Sequence, residues 1–398
     1  MSRSDEIKET YNAYVMGTYT PSIVIEKGKG SRVWDAEGKQ YYDLTSGIGV
    51  HNIGHCNETV VKAVQDQVAT LGHCSNLFMH EGQGKLAKKL VETAGFDGGR
   101  AFFCNSGAEA NEAAIKLARL WGSGEGGRYE IVTMRQGFHG RTLATVSATG
   151  QSWCQRGFEP LLAGFRYADF NDIESVRAAV TDKTVAIMLE AIQGEGGVTP
   201  ATEEFMAGVR QLCDERNLIM ICDEVQSGMG RTGKWWGWQN YSVKPDLFTA
   251  AKSLADGVPM GALVANERFA YVFPPGSHAS TFGGNPLSCA AALATIGVIE
   301  SDGLLDAAVT KGELLRAALE SFVEKYDKAL EVRGTGLMLG LVVDGNPAEI
   351  VEAFREAGVL ALTAGSNVVR FLPTLSMKES HLEDAVEMMG DALDELWG

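Results

Sequence analysis

Short apolar runs alternate with helically spaced apolar residues through the middle of this 398-residue chain. Runs of three to five residues bounded by polar or glycine residues predict buried strands, whereas apolar positions three and four apart, such as Ala110, Ala114 and Leu117, predict an amphipathic helix. This alternation is typical of an α/β protein with a mostly parallel sheet covered by helices on both faces. The predicted strands are Ala101–Cys104, Ile131–Met134, Val185–Leu189, Leu218–Cys222, Leu247–Ala250 and Leu263–Ala265.

The two ends of the chain carry a different pattern. Residues 20–45 contain three short strand-like runs separated by turn residues, which predicts a small antiparallel element. From about Ser301 the pattern predicts a long amphipathic helix, Leu304–Tyr326, followed by strands with a further helix between them, Leu339–Val343 and Val368–Phe371. We therefore predict a smaller α+β domain made from both chain ends, residues 1–55 and 301–398, and a large domain of residues 56–300.

Composition narrows the class of protein. The chain has 35 basic and 51 acidic residues, a formal charge of −16, which disfavours binding to nucleic acid or to anionic membranes. No apolar run approaches the roughly 18 residues that a membrane span needs, and the polar N-terminus does not resemble a secretory signal. Seven scattered cysteines without a Cys-x-x-Cys spacing are typical of reduced thiols. These features predict a soluble cytoplasmic protein with neither a nucleic-acid nor a membrane partner.

Polar residues follow several of the predicted strands. Ser106 and Gly107 lie between a strand and a helix, where free backbone N–H groups can bind phosphate, although Ser106 could equally be a simple helix cap. Phe138 and His139 lie on a glycine-flanked loop and could stack on a planar ring, and Arg141 could bind a carboxylate. The alternative for this loop is a buried aromatic residue beside a surface arginine.

Two further strand ends carry acidic residues, and a third carries a lysine. Glu190 and Glu195 follow one strand and could be ordinary loop carboxylates. Asp223 ends an apolar strand, where a carboxylate needs a cation such as a protonated pyridine or a Lys or Arg side chain. Lys252 follows the next strand, and an apolar site would favour its neutral, nucleophilic amine. A lysine, an aspartate, a phosphate-binding turn and a stacking ring at one sheet edge together predict pyridoxal 5′-phosphate (PLP) as the cofactor.

With these residues in place, the chain resembles the class III (ω-amino-acid) aminotransferases of PLP fold type I, and within them the acetylornithine aminotransferases. The resemblance runs from about Met16 to Asp394. It is carried, in order, by the motifs NSGAEANEAAIKLAR, GFHGRT, EAIQGEGG, CDEVQSGMGRTG, AAKSLADGVPMGA and STFGGNPL.

The resemblance implies a role for each matching residue. Lys252 would carry PLP as a Schiff base and move the proton, Asp223 would hold the ring nitrogen protonated, and Glu190 would lie near the reacting end of the substrate. Thr281 would reach the phosphate in a neighbouring subunit, which implies a homodimer. The implied cofactor-binding residues also include Ser106, Gly107, Ala108, Phe138, Val225 and Gln226. The implied substrate-binding residues are Arg141, Arg370, Glu195, Tyr19 and Ile48, with Glu195 acting as a gate on an arginine.

The implied reaction is the transfer of the terminal amine of N2-acetylornithine to 2-oxoglutarate, a step of arginine biosynthesis. Ile48 stands where ornithine aminotransferases tend to carry an aromatic residue, which leaves succinylornithine, 4-aminobutyrate or another ω-amine as the alternative donor. Ala108 replaces a threonine common in the family, so one hydroxyl to the phosphate is missing. A nicotinamide-dependent oxidoreductase would need a G-x-G-x-x-G turn after an early strand, and none appears where it is required. A non-catalytic relative would be expected to lack Lys252 or Asp223, and both are present. His51, His55 and Cys56 do not complete a metal site, so no metal is expected.

Overall fold

The computed structural model describes residues 2–398, which form a mixed α/β structure. The α-helices are α1 (Arg3–Tyr14), α2 (Ser46–Gly49), α3 (Glu58–Thr70), α4 (Glu81–Thr93), α5 (Gly107–Gly124), α6 (Leu143–Ala148), α7 (Ser152–Gln155), α8 (Ile173–Ala179), α9 (Glu203–Arg216), α10 (Pro286–Ser301), α11 (Leu304–Lys325), α12 (Pro347–Ala357) and α13 (Glu379–Trp397). Two short 3₁₀ helices span Gly237–Asn240 and Lys252–Ala255.

The strands fall into one large sheet and three smaller ones. They are β1 (Ile25–Lys29), β2 (Arg32–Asp35), β3 (Gln40–Asp43), β4 (Arg100–Cys104), β5 (Glu130–Met134), β6 (Phe165–Ala168), β7 (Thr184–Glu190), β8 (Ile192–Gln193), β9 (Thr199–Pro200), β10 (Ile219–Asp223), β11 (Leu247–Ala250), β12 (Gly261–Ala265), β13 (Ala329–Thr335), β14 (Met338–Val343), β15 (Val359–Leu360), β16 (Leu362–Ala364) and β17 (Val368–Phe371).

The large sheet has seven strands in the order β4-β12-β11-β10-β7-β5-β6, and only β12 runs antiparallel to its neighbours. Every residue of β7, β10 and β11 is buried, because these apolar strands are covered on both faces. Helix α5 packs on the sheet through buried alanines and leucine, as its spacing predicted. All six predicted strands are present; β6, a short strand at the sheet edge, was not predicted.

Both chain ends meet in the smaller sheets. The C-terminal strand β15 pairs in parallel with the N-terminal strand β3 and completes the order β1-β2-β3-β15, while β13-β14-β17-β16 form a second sheet. The predicted N-terminal antiparallel element is present as β1, β2 and β3, and helix α11 ends one residue before its predicted end at Tyr326. The predicted fold class is therefore confirmed, whereas the exact domain boundaries at residues 55 and 300 stay a prediction.

The sheet directions decide where the functional residues meet. Strands β4, β5, β7, β10 and β11 point the same way, so the segments that follow them emerge at one edge. Within the described residues, no single helix is long and apolar enough to cross a membrane; α10 and α11 pass such a test only as a pair, and they are bent by 67° at their junction.

Candidate active site

A row of polar residues crosses three adjacent strands at the carboxyl edge of the large sheet. Glu190 at the end of β7 is the register partner of Asp223 on β10, and Asp223 is the partner of Thr249 on β11. The preceding residues of these strands are apolar and buried, so the sheet holds both carboxylates below the protein surface. Such carboxylates are costly unless hydrogen bonds or cations compensate them.

Asp223 is held by three hydrogen bonds. Its Oδ2 accepts from Asn111 Nδ2 at 2.8 Å and lies 2.8 Å from His139 Nδ1, while its Oδ1 accepts from the Val225 N–H at 3.0 Å. Burial alone would lower the pKa of His139, but its hydrogen bond to Asp223 and the charge of that carboxylate raise the pKa. Within residues 2–398, Asp223 has no lysine or arginine partner, so a further cation can still pair with it.

Lys252 follows β11 after a single residue, Ala251, and begins a 3₁₀ helix. Its φ of +46° is in the left-handed region, which is strained for a residue other than glycine and is common at functional sites. Its Nζ makes neither a hydrogen bond nor an ion pair to any described residue. Burial lowers the pKa of Lys252, opposed by the negative charge of Glu195 and reinforced by Arg370. The amine therefore has a larger neutral fraction than a surface lysine.

The N-terminus of α5 follows β4 at the same edge. Ser106 is the helix cap, and its side chain accepts from the N–H of Glu109 at 3.2 Å. Helix geometry leaves the N–H groups of Gly107 and Ala108 without acceptors in the helix, so they are available to an anion. A Cβ on Gly107 would lie 2.7 Å from Val225 Cγ1, which explains the glycine. Ser106 thus acts as a cap, and the same turn also keeps donors for a phosphate.

The loop after β5 is tied to Glu190. The Phe138 N–H donates to Glu190 Oε2 at 3.0 Å, and the Gly194 N–H donates to Oε1 at 3.4 Å. Burial raises the pKa of Glu190 to about 8, against the charge of His139, so this carboxyl is largely protonated at neutral pH. The sequence suggested that Phe138 and His139 could both stack on a planar ring. The His139 ring is instead buried against Asp223, because that carboxylate is its hydrogen-bond partner.

Glu195 and Arg370 form an ion pair across the two parts of the chain. Arg370 Nη1 lies 2.6 Å from Glu195 Oε1 and 3.2 Å from Gln226 Oε1, and Gln226 Nε2 donates to Glu195 at 3.2 Å. Burial would raise the pKa of Glu195, but Arg370 holds it below its usual value. A Cβ on Gly194 would lie 2.3 Å from Gln226 Oε1, so a glycine is needed for this approach.

Lys252 opens into a cleft of about 930 Å³. Five predicted site residues, Tyr19, Ile48, Phe138, Arg141 and Glu195, line the same cleft. Arg141 is exposed and makes no ion pair within the described chain, and Ile48 belongs to α2, whose residues all have φ between +42° and +70°. The cleft wall thus contains the Lys252 amine, the open Arg141 and Glu195, and Glu195 pairs with the buried Arg370 behind it.

Thr281 lies elsewhere. Its exposed side chain lines a separate cleft of about 340 Å³ that also contains Asn105, Glu109 and His278. It is therefore not part of the Lys252 cleft of its own chain.

Comparison with known proteins decides the family. The family model described as "Aminotransferase class-III" matches residues 14–393. The chain belongs to the class-III aminotransferases. It is 49% identical to the acetylornithine aminotransferase of Caldanaerobacter subterraneus subsp. tengcongensis, over 96% of this chain and 98% of that protein.

Solved structures agree with this assignment. The ornithine aminotransferase of Toxoplasma gondii ME49 superposes with a TM-score of 0.94 at 31% identity, covering 98% of this chain and 95% of that one. The acetylornithine aminotransferase of Elizabethkingia anophelis gives a TM-score of 0.87 at 32% identity, covering 99% and 100%. The predicted family, fold class and enzyme class are confirmed: this chain is a PLP-dependent aminotransferase.

The residues present fit that cofactor. Three groups lie at one edge of the sheet. They are the partly buried Lys252 amine, which has no partner, the buried Asp223 carboxylate, which has no lysine or arginine partner, and the N-terminus of α5 with its free N–H groups. His139 Nε2 is also buried and has no hydrogen-bond partner within residues 2–398. The two histidines considered above as metal ligands, His51 and His55, have ring centres 4.4 Å apart. Each ring pairs with an aspartate instead, His51 with Asp256 and His55 with Asp43.

Several residues of the site were not found from the sequence. Asn111 donates a hydrogen bond to Asp223 from the buried face of α5. The only sign of this role in the sequence was a polar amide in an alanine-rich stretch. Gln151, Trp153 and Arg333 line the cleft but carry no motif of their own. Their place depends on long-range packing.

Proposed function

We propose that this aminotransferase moves the terminal amine of N2-acetylornithine to 2-oxoglutarate, giving N-acetylglutamate 5-semialdehyde and glutamate, a step of arginine biosynthesis. The names of its relatives, among them the acetylornithine aminotransferases of Caldanaerobacter subterraneus and Methanocaldococcus jannaschii, support this substrate. The aliphatic Ile48 at the cleft supports it further, because an acylated α-amine needs no charged partner there.

The pairing state of the two arginines carries the proposal. Arg370 is neutralised by Glu195 at 2.6 Å, whereas Arg141 is open. A donor with one carboxylate and a terminal amine can pair with Arg141 and leave the Glu195–Arg370 pair closed. A dicarboxylate acceptor needs both arginines, so Glu195 must move away for it. One cleft can then accept both substrates in turn.

The remaining site residues have proposed roles that the family resemblance implies and that their positions support. Bound PLP supplies an electron-withdrawing ring that stabilises negative charge on the substrate carbon. Asp223 would hold the ring nitrogen protonated, Phe138 would stack on the ring, Val225 and Gln226 would pack beside it, and the turn at Ser106, Gly107 and Ala108 would bind the phosphate. The Lys252 amine, with its lowered pKa, removes and returns the proton. Glu190 and Tyr19 lie near the donor.

A half-reaction screen tests the donor. The PLP form is mixed with acetylornithine, succinylornithine, ornithine or 4-aminobutyrate, and the loss of its visible absorbance is followed without an acceptor. We expect acetylornithine to give the highest ratio of rate to half-saturating concentration. A clear preference for 4-aminobutyrate or free ornithine would overturn this assignment and leave the aminotransferase class intact.

We also propose a homodimer in which Thr281 binds the phosphate of the partner's cofactor. The exposure of Thr281 outside the Lys252 cleft of its own chain supports this arrangement. Mixing Lys252→Ala chains with Thr281→Ala chains tests it, since a hybrid dimer contains one site with both native residues. Recovery of activity on mixing supports shared sites, and no recovery in demonstrated hybrids contradicts them.

Seven free cysteines support the proposed cytoplasmic location.

A further inference from the structure

Arg141 is flanked by two aromatic rings rather than by carboxylates. Its Cζ lies 4.8 Å from the centre of the Trp153 ring and 5.4 Å from that of Phe138. Within the described chain, the guanidinium makes no hydrogen bond or ion pair. A guanidinium that lies over aromatic rings and has no carboxylate partner keeps its N–H groups free for a planar, bidentate carboxylate.

Trp153 is itself fixed in orientation. Its Nε1–H donates to Gln151 Oε1 at 2.9 Å, and Gln151 is 5% exposed. Gln151 Nε2 donates to the carbonyl oxygens of Gln136 at 2.9 Å and of Gly137 at 3.4 Å. These carbonyls belong to the loop that continues to Phe138 and Arg141. The indole is therefore anchored to the same loop whose arginine it contacts.

The anchored indole ring stands at the wall of the cleft beside Arg141. Trp153 is 62% exposed and lines the cleft, so its ring is accessible there. Its partner here is a long, flexible arginine side chain that would otherwise sample many rotamers. Restricting those rotamers before the donor binds reduces the entropy lost on binding.

We propose that Trp153 is a positioning residue that holds the Arg141 guanidinium ready for the carboxylate of the amino donor. The inference rests on the proposed function, in which Arg141 receives that carboxylate. Trp153 is then a determinant of specificity: it favours terminal amines that carry a carboxylate over amines of the same length that lack one.

The test compares two donors that differ only in this carboxylate, N2-acetylornithine and N-acetyl-1,4-diaminobutane. Trp153→Leu should raise the half-saturating concentration of acetylornithine about 2- to 30-fold in the half-reaction, the range expected for loss of one cation–π contact. The half-saturating concentration of the decarboxylated donor should not change. Trp153→Phe keeps a ring but loses the bond to Gln151, so its effect should be smaller and equally selective.

Phe158→Leu is the matched control, because Phe158 is a similarly exposed aromatic residue, 57%, that does not line the cleft. An equal effect of Trp153→Leu on both donors, or no effect on either, overturns the inference. If Trp153→Leu does not fold, Trp153→Phe with the same two donors decides. If the wild type fails to react with carboxylated ω-amines at all, the proposed function is wrong, and the inference falls with it.

Discussion

The buried carboxyl of Glu190 should make the free energy of unfolding depend on pH. Its carboxyl is buried beside Asp223, and burial raises its pKa from 4.5 to about 8. An acid with a raised pKa in the folded state favours the protonated form there. The folded protein therefore loses stability as pH rises from the unfolded pKa through the folded one.

The size of the effect follows from that shift. A change from 4.5 to about 8 corresponds to a cost of about 5 kcal/mol once Glu190 is fully ionised. Most of this cost develops between pH 5.5 and pH 8.5, so the two conditions differ by about 3 kcal/mol. Glu190→Gln keeps an oxygen acceptor for the Phe138 N–H but cannot ionise, and it should remove this dependence.

The assay is urea unfolding of the cofactor-free protein, because bound PLP would add charges of its own. Relative to the wild type, Glu190→Gln should gain about 3 kcal/mol more at pH 8.5 than at pH 5.5. Glu204→Gln, at an exposed position of α9, controls for the loss of one negative charge. The same stability difference at both pH values would refute the reasoning.

Three further substitutions test other contacts. Arg231→Lys should cost about 2–4 kcal/mol in urea unfolding, because the buried guanidinium donates to two carbonyl oxygens and two side chains that a lysine cannot bind together; a loss below about 0.5 kcal/mol would contradict this. Asp223→Asn should lower the pKa of His139, because it removes the carboxylate that raises this pKa, and should slow the half-reaction by about 10²–10⁴-fold. NMR titration of the imidazole measures the pKa, and an unchanged value would contradict the contact. Glu195→Gln should strengthen inhibition by dicarboxylates by about tenfold through unmasking Arg370, measured as an inhibition constant, and weaker inhibition would contradict the gate.

Much of the sheet could be predicted because its central strands are nearly pure apolar runs. Ile219–Asp223 and Leu247–Ala250 are buried on both faces, and Asp223 and Lys252 were conspicuous as polar residues at their ends. Strand β6, Phe165–Ala168, was not predicted, since it is short, lies at the sheet edge and contains an exposed arginine.

The contacts between side chains could not be predicted in the same way. His139 is adjacent to Phe138 in sequence, yet its partner Asp223 lies 84 residues away, and only the packed sheet shows which ring turns inward. Arg231 bonds to segments that precede and follow the large-sheet strands in the sequence, at Asn52 and Leu337. Such long-range choices depend on packing geometry, which hydrophobic periodicity does not encode.

The central claim is that Lys252 carries the cofactor at the edge of the sheet shared with Asp223. Borohydride reduction of the yellow holoprotein, followed by digestion and mass spectrometry, tests it most directly. We predict loss of the visible colour and a pyridoxyl group on the peptide that contains Lys252, and none in the Lys252→Ala variant. A label on a different lysine, or a Lys252→Ala variant with near-native activity, would contradict the account.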